Sequence, residues 1–439
     1  MKKIRILVLL ALAALFLSGC NMRTVDQMYC LPKRPQSYNN LQSTMDAAMT
    51  GHEYCAPISG ENQQTVQMAD LDGDGIHEYL VFTKCSDEMP LQILIFNQRE
   101  DEYYLSDVIR STGSAFELVE YVQMDGKGGM ELVVGRQVSD QVVRSLCVYT
   151  FTDGQAQQLL STNYSKFITC DLDSDSLVEL MVIRPGQTAA DKGVCELYGI
   201  TGGVMERYNE ATLSGPVDAL KRVIQGKLLG GVPAVFVGST VEGNAIITDV
   251  YTVVDGQFRN VSLSNESGTS VKTLRNYYVY ADDVDSDGEV ELPYLISMTP
   301  MEQGSTAEQQ YLIRWYAMGT DGREENKMYT YHNYVGGWYV EISEKTASRI
   351  CVVQVGNEYH FYLWDSRYTK AEKLYTVYSL TGQNRQEQAT QDQRFVLLQG
   401  ESTVYAASLE ETALKLGITP ESMITGFHLI HQDWKTGEM

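Results

Sequence analysis

A nine-residue acidic segment recurs along the chain, and each copy runs straight into an apolar stretch. Asp70-Leu71-Asp72-Gly73-Asp74-Gly75-Ile76-His77-Glu78 precedes Tyr79-Leu80-Val81-Phe82. Asp171-Leu172-Asp173-Ser174-Asp175-Ser176-Leu177-Val178-Glu179 precedes Leu180-Met181-Val182-Ile183, and Asp283-Val284-Asp285-Ser286-Asp287-Gly288-Glu289-Val290-Glu291 precedes Leu292. Two weaker copies lie between them. Gln123-Met124-Asp125-Gly126-Lys127-Gly128-Gly129-Met130-Glu131 leads into Leu132-Val133-Val134, and Gly226 to Ala234 leads into Val235-Phe236-Val237 with every acidic position lost. The closing residues 78, 131, 179, 234 and 291 are 53, 48, 55 and 57 positions apart. The chain therefore carries a supersecondary repeat of about fifty residues.

Within one period the segments Glu78–Thr83, Leu91–Asn97, Tyr103–Ile109 and Phe116–Val122 are apolar-rich, alternating or β-branched, and polar turns separate them. Four short strands per unit match a propeller blade, an arrangement that leaves only short protected sheet edges. The acidic loop entering a strand at this period resembles the FG-GAP/VCBS-type repeats, whose integrin-like members bind calcium in the same place. The resemblance spans roughly residues 66–330 and implies a mainly β fold with about five recognisable blades. Residues 20–65, with prolines either side of a helix-like stretch from Leu41 to Met49, read as a spacer and cap leading into a strand at Thr65–Met68. After residue 330 the acidic loop disappears. Strands expected at Gly337–Ile342, Arg349–Val355, Tyr359–Asp365, Lys373–Leu380, Arg394–Gln399 and Ser402–Ala407 are followed by helices at Leu409–Leu416 and Pro420–His431. Residues 331–439 thus read as a small α+β domain, or alternatively as degenerate blades completing a six- or seven-bladed ring.

The chemistry of the loop follows from its residue types. Carboxylates at positions 1, 3 and 5 converge when the backbone curls, glycine at position 6 permits the curl, position 7 offers a carbonyl and position 9 closes the shell. Hard oxygen ligands in that number suit calcium. The expected ligands are Asp70, Asp72, Asp74, the carbonyl of Ile76 and Glu78 in the first loop. In the third they are Asp171, Asp173, Asp175, the carbonyl of Leu177 and Glu179, and in the fifth Asp283, Asp285, Asp287, the carbonyl of Glu289 and Glu291. Up to three structural calcium ions are expected. Ser176 replaces the glycine of the third loop, which predicts strain there. In the second loop Lys127 takes position 5, so an ammonium stands in for the ion, and the fourth is expected to bind no metal.

The N-terminus says where such a scaffold would work. Lys2, Lys3 and Arg5 precede an apolar run from Ile6 to Leu17 that ends Leu17-Ser18-Gly19-Cys20, the pattern of a signal peptide over residues 1–19. A span needs about 20 apolar residues to cross ~30 Å of hydrocarbon, so this run is short for an anchor. Leu-Ser-Gly-Cys resembles the lipobox of bacterial lipoproteins, which implies acylation of Cys20 and attachment to the extracytoplasmic face of the cell membrane. Losing residues 1–19 removes three positive charges and no negative one, taking the formal net charge from −23 to −26. A chain this acidic lacks the basic face that nucleic acid or nucleotide phosphate requires. Seven cysteines remain besides Cys20; most read as small buried thiols, with Cys30–Cys55 a candidate disulfide.

No GxSxG elbow or HExxH helix is present. His428 and His431 are expected to share a helix face without a third ligand, and His77 to point outward from its loop. The aromatic cluster Tyr311, Trp315, Tyr316, Tyr329, Tyr331, Tyr334, Trp338 and Tyr339 reads as core ahead of a binding face. The reading favoured by these features is a non-enzymatic binding or assembly module presenting loops to a cell-surface protein or glycan. The alternative is an extracytoplasmic hydrolase or lyase acting on envelope polysaccharide or peptide through a propeller channel.

Overall fold

Leu132, Val133 and Val134, Leu180 to Ile183, and Val235 to Val237 are buried at odd and even positions alike. Successive side chains of a strand point to opposite faces, so a sheet built on such strands must be covered on both sides. The computed structural model shows how; it describes residues 36–100, 102–138, 144–186, 188, 190–299, 310–431 and 437. Cys20 with its lipobox, and Cys30, lie outside the described residues.

The chain is mainly β, 54% strand and 9% helix, and the strands form six antiparallel sheets. The first holds β1 (His52–Tyr54) and β2 (Val66–Ala69), which pair with opposite ends of β3 (Glu78–Cys85), then β4 (Leu91–Arg99) and β5 (Glu102–Ser111). The second, third and fourth are four-stranded meanders. They comprise β6 (Ala115–Val122), β7 (Glu131–Gln137), β8 (Arg144–Thr152) and β9 (Gln155–Tyr164); β10 (Lys166–Cys170), β11 (Glu179–Arg184), β12 (Val194–Thr201) and β13 (Val204–Thr212); and β14 (Ala219–Leu228), β15 (Val232–Val241), β16 (Ala245–Val254) and β17 (Gln257–Asn260).

The fifth sheet runs β18 (Leu292–Ser297), β19 (Tyr311–Met318), β20 (Glu324–Asn333) and β21 (Trp338–Ile342), and takes β27 (Phe427–Leu429) from the C-terminal region at its edge. The sixth orders β22 (Ile350–Val355), β23 (Glu358–Trp364), β24 (Ala371–Thr381), β26 (Thr403–Leu409) and β25 (Phe395–Gln399). The expected helix over Pro420–His431 is shorter: it ends at Thr425, and Phe427–Leu429 pairs with β21 instead.

Sheets share cores in chain order. Phe82 and Ile93 of the first meet Phe116 and Val134 of the second. Val133 and Val148, on the second sheet's other face, meet Leu180 and Val182 of the third. Met181 and Ile183 meet Val235 and Val237 of the fourth, and Phe236 and Val250 meet Leu292 and Tyr316 of the fifth. Leu312 and Trp338 meet Phe361 and Tyr375 of the sixth. Each fully buried aliphatic side chain contributes roughly 1.5–3 kcal/mol, so the doubly covered second strands anchor the stack. Its outer faces are covered by helical segments. Leu41 and Met45 of α1 (Gln36–Ala48) lie on Val81, Leu94 and Phe96 of the first sheet. Ala389, just past α2 (Arg385–Gln388), lies on Leu380, Val404 and Ala406 of the sixth. Among the described residues no apolar core joins the sixth sheet to the first, and no closed ring is seen.

Candidate metal centres

The acidic loops link β2 to β3 in the first sheet, β6 to β7 in the second and β10 to β11 in the third, and the closure is the same every time. The residue before position 1 pairs with the glutamate at position 9: Ala69 with Glu78, Val122 with Glu131, Cys170 with Glu179, and Asp282 with Glu291. In the fifth sheet that bridge is all that remains of the first strand. The glutamate carboxylate then reaches back into the loop, where one oxygen accepts the amide of position 2. These bonds are Leu71 to Glu78 at 2.8 Å, Met124 to Glu131 at 2.9 Å, Leu172 to Glu179 at 2.8 Å and Val284 to Glu291 at 2.9 Å.

The first aspartate holds the curl. Asp70 accepts the amides of Gly73 (2.8 Å) and Gly75 (3.0 Å), and Asp171 those of Ser174 (2.7 Å) and Ser176 (3.0 Å). Positions 4 and 6 adopt left-handed backbone, with φ of +78° and +86° at Gly73 and Gly75 but +64° and +72° at Ser174 and Ser176. That region favours glycine. The strain expected at Ser176 is present, and Ser174 shares it.

These constraints bring carboxylates together. Asp70, Asp72 and Glu78 form one group, Asp171, Asp173, Asp175 and Glu179 a second, and Asp283, Asp285 and Glu291 a third; within each, one oxygen per residue lies within 4.8 Å of the others. Asp74 and Asp287 stand outside their groups. Asp74 accepts the Ile76 amide at 2.7 Å, and Asp287 is ion-paired at 2.7 Å with Lys327, whose ammonium also reaches Glu289 at 3.0 Å. Sequence reasoning missed Lys327, because it comes from β20 on another turn of the chain. At position 7, the Ile76, Leu177 and Glu289 amides donate to the position-5 aspartates at 2.7, 2.7 and 2.8 Å.

Crowding leaves these groups short of positive charge. Burial, reinforced by the neighbouring aspartates, pushes the carboxyls of Glu78 and Glu179 up to about 7 and that of Glu291 to about 8. Glu78 Oε1 and Glu291 Oε1 are buried with no hydrogen-bond donor. A buried unpaired carboxylate oxygen is costly, and an all-oxygen donor set fits a hard divalent cation.

The second loop solves the same problem differently. Gln123 stands at position 1: its Oε1 accepts the Gly126 amide at 2.9 Å, as Asp70 accepts that of Gly73, and its Nε2 donates to the Gly129 carbonyl at 2.9 Å. Lys127 Nζ lies 2.7 Å from Asp125 Oδ2. An amide and an ammonium thus face the acceptors that an ion would otherwise satisfy.

Successive loops are also tied to one another. The position-8 amide donates to the position-1 carbonyl of the loop before: Met130 to Asp70 at 3.0 Å and Val178 to Gln123 at 2.9 Å. In the fourth unit Lys227 pairs with Pro233 and Gly226 with Ala234, so the loop opens at Lys227 rather than Gly226 and is one residue shorter. Val290 donates to the Lys227 carbonyl at 2.9 Å.

The other candidates take structural places. His77 is exposed. His428 sits on β27, stacked on Tyr339 at 4.9 Å, because the helix ends before it. Trp315, Tyr316, Tyr331, Trp338 and Tyr339 are buried, while Tyr311, Tyr329 and Tyr334 are half-buried.

No family model matches this sequence, and no curated protein matches it. Solved structures give distant likenesses. The chain is similar to rhamnogalacturonan lyase YesW at 12% identity and a TM-score of 0.31, over 72% of this chain and 54% of that one. It is similar to a protein from Lactobacillus plantarum at 11% identity and 0.31, over 72% of this chain and 85% of that one. The exotype rhamnogalacturonan lyase YesX gives 11% identity and 0.28, over 75% and 67%. The chain thus spans about half the length of the first of these.

Proposed function

We propose that this chain is a calcium-stapled β-repeat scaffold of the FG-GAP/VCBS type, its sheets acting as propeller-like blades. Held at a cell membrane through acylated Cys20, it would present loops and clefts to a protein or glycan outside the cytoplasm. The observation that carries this reading is the recurrence, in phase, of three carboxylate groups each closed by a buried glutamate, two of which have an oxygen with no donor. The carboxyls pushed furthest upward are those same loop glutamates. That favours metal-holding carboxylates over a separate acid–base pair, and hence a binding module over a hydrolase or lyase.

Calcium bound only to the folded state stabilises it by RT ln(1 + [L]/Kd), about 1.8 kcal/mol per site at ~2 mM ion and a Kd of ~10⁻⁴ M. EDTA should therefore lower the melting temperature by several degrees, and excess calcium should restore it. A melting curve indifferent to both would refute the cation reading.

A further inference from the structure

The ties between successive loops fail at one place. Pro233 occupies position 8 of the fourth unit, and proline has no N–H to give to the Asp171 carbonyl. A cleft of about 640 Å³ opens there, with Asp173, Ser174 and Glu179 of the third loop on one side and Gly231, Val232 and Pro233 on the other. Its size falls in the range of small-molecule sites. The smaller cleft beside the first and second loops, about 230 Å³, is lined by Lys127.

Three features of the larger cleft point to a ligand. Glu179 is 5% exposed, and its Oε2 accepts the Leu172 amide at 2.8 Å. It borders the cleft, whereas Oε1 of Glu78 and of Glu291 is shut away from solvent. On another wall the Tyr208 ring rests on the Gly199 backbone: a Cβ at 199 would fall 2.3 Å from the ring, so glycine is what admits it. Tyr208 Oη is fixed 3.1 Å from Thr201 Oγ1, and the residue remains 46% exposed. Finally, among the described residues no lysine or arginine lines the cleft, while Asn209 and Asp255 supply hydrogen-bonding groups.

Charge selects the ligand class. Four loop carboxylates outweigh one divalent ion by two charges, so an anion entering here would be repelled, whereas neutral hydroxyls would not. We propose that this cleft binds a neutral saccharide through vicinal hydroxyls that complete the shell of a cation in the third loop, with a sugar face against Tyr208. The inference rests on the cation reading above, with the third site as the one open to a ligand.

The test is calorimetric titration of the full chain in detergent, loaded with calcium, using methyl α-mannoside, methyl β-galactoside and galacturonate. At least one neutral glycoside should bind with one site per chain and lose its binding in EDTA. Tyr208→Ala should weaken that binding about tenfold or more, as expected for loss of an aromatic platform, and leave the bound calcium count unchanged. Asp173→Asn should abolish sugar binding, while Asp72→Asn in the first loop should spare it. Sugar binding that survives EDTA, is indifferent to Tyr208→Ala or favours galacturonate would overturn the proposal. So would calcium uptake with no neutral sugar bound. A chain that takes up no calcium would instead reject the cation reading itself, and this inference with it.

Discussion

A serine held in left-handed backbone costs energy that glycine does not, and the third loop places two of them there. Ser174 and Ser176 keep the curl because Asp171 grips both amides, at 2.7 and 3.0 Å. Relieving one of them should help. Ser176 is exposed, so Ser176→Gly should stabilise the chain by about 1 kcal/mol, read as a rise in denaturation midpoint with an unchanged slope. A fall would mean that the hydroxyl has a partner worth more than the strain. The convergence of positions 1, 3 and 9 was legible because a carboxylate recurs at each of them in all three loops. Less legible was which aspartates would leave the group: Asp287 is drawn off by Lys327, forty positions away, and no local pattern announces that partner.

At the scale of elements, the second loop is a natural control. It keeps the shape of its neighbours, with φ of +74° at Gly126 and +95° at Gly128, and sets Gln123 and Lys127 where they carry aspartates. If the geometry is what makes a site, restoring carboxylates should create one. The double variant Gln123→Asp, Lys127→Asp should bind one more calcium than the parent chain by equilibrium dialysis; an unchanged count would show that loop shape is not sufficient.

The strands were readable from alternation and β-branching, and β3, β4 and β6 fall within about two residues of their expected limits. The helix expected from Pro420 to His431 was misread for a physical reason. Met423, Phe427 and Ile430 are all buried at spacings of four and three, the period of a helix face, but Gly426 ends α3 (Pro420–Thr425), and the next residues pair with β21. The first strand of the fifth sheet shrank to a single bridge, which no sequence period could show.

The whole molecule is a chain-ordered stack whose inner sheets are covered by their neighbours and whose outer faces are covered by helical segments. The repeat made the four-stranded antiparallel sheets and their order along the chain legible. The ends lie outside the repeat: α1 overlaps the helix-like stretch expected at Leu41–Met49, whereas α2 was not foreseen. Leu41 is 4% exposed and lies against Val81, Leu94 and Phe96. Leu41→Ala should therefore cost about 2–3 kcal/mol and expose this face to hydrophobic dye; a loss below ~0.5 kcal/mol would show that α1 is an ornament rather than a cover.

Calcium bound per chain, counted by atomic emission after dialysis of the full-length protein against calcium buffer, bears on the whole account at once. The three carboxylate groups predict about three ions per chain, reduced to about two by Asp72→Asn. A chain that retains no calcium would contradict the reading that cations hold these loops.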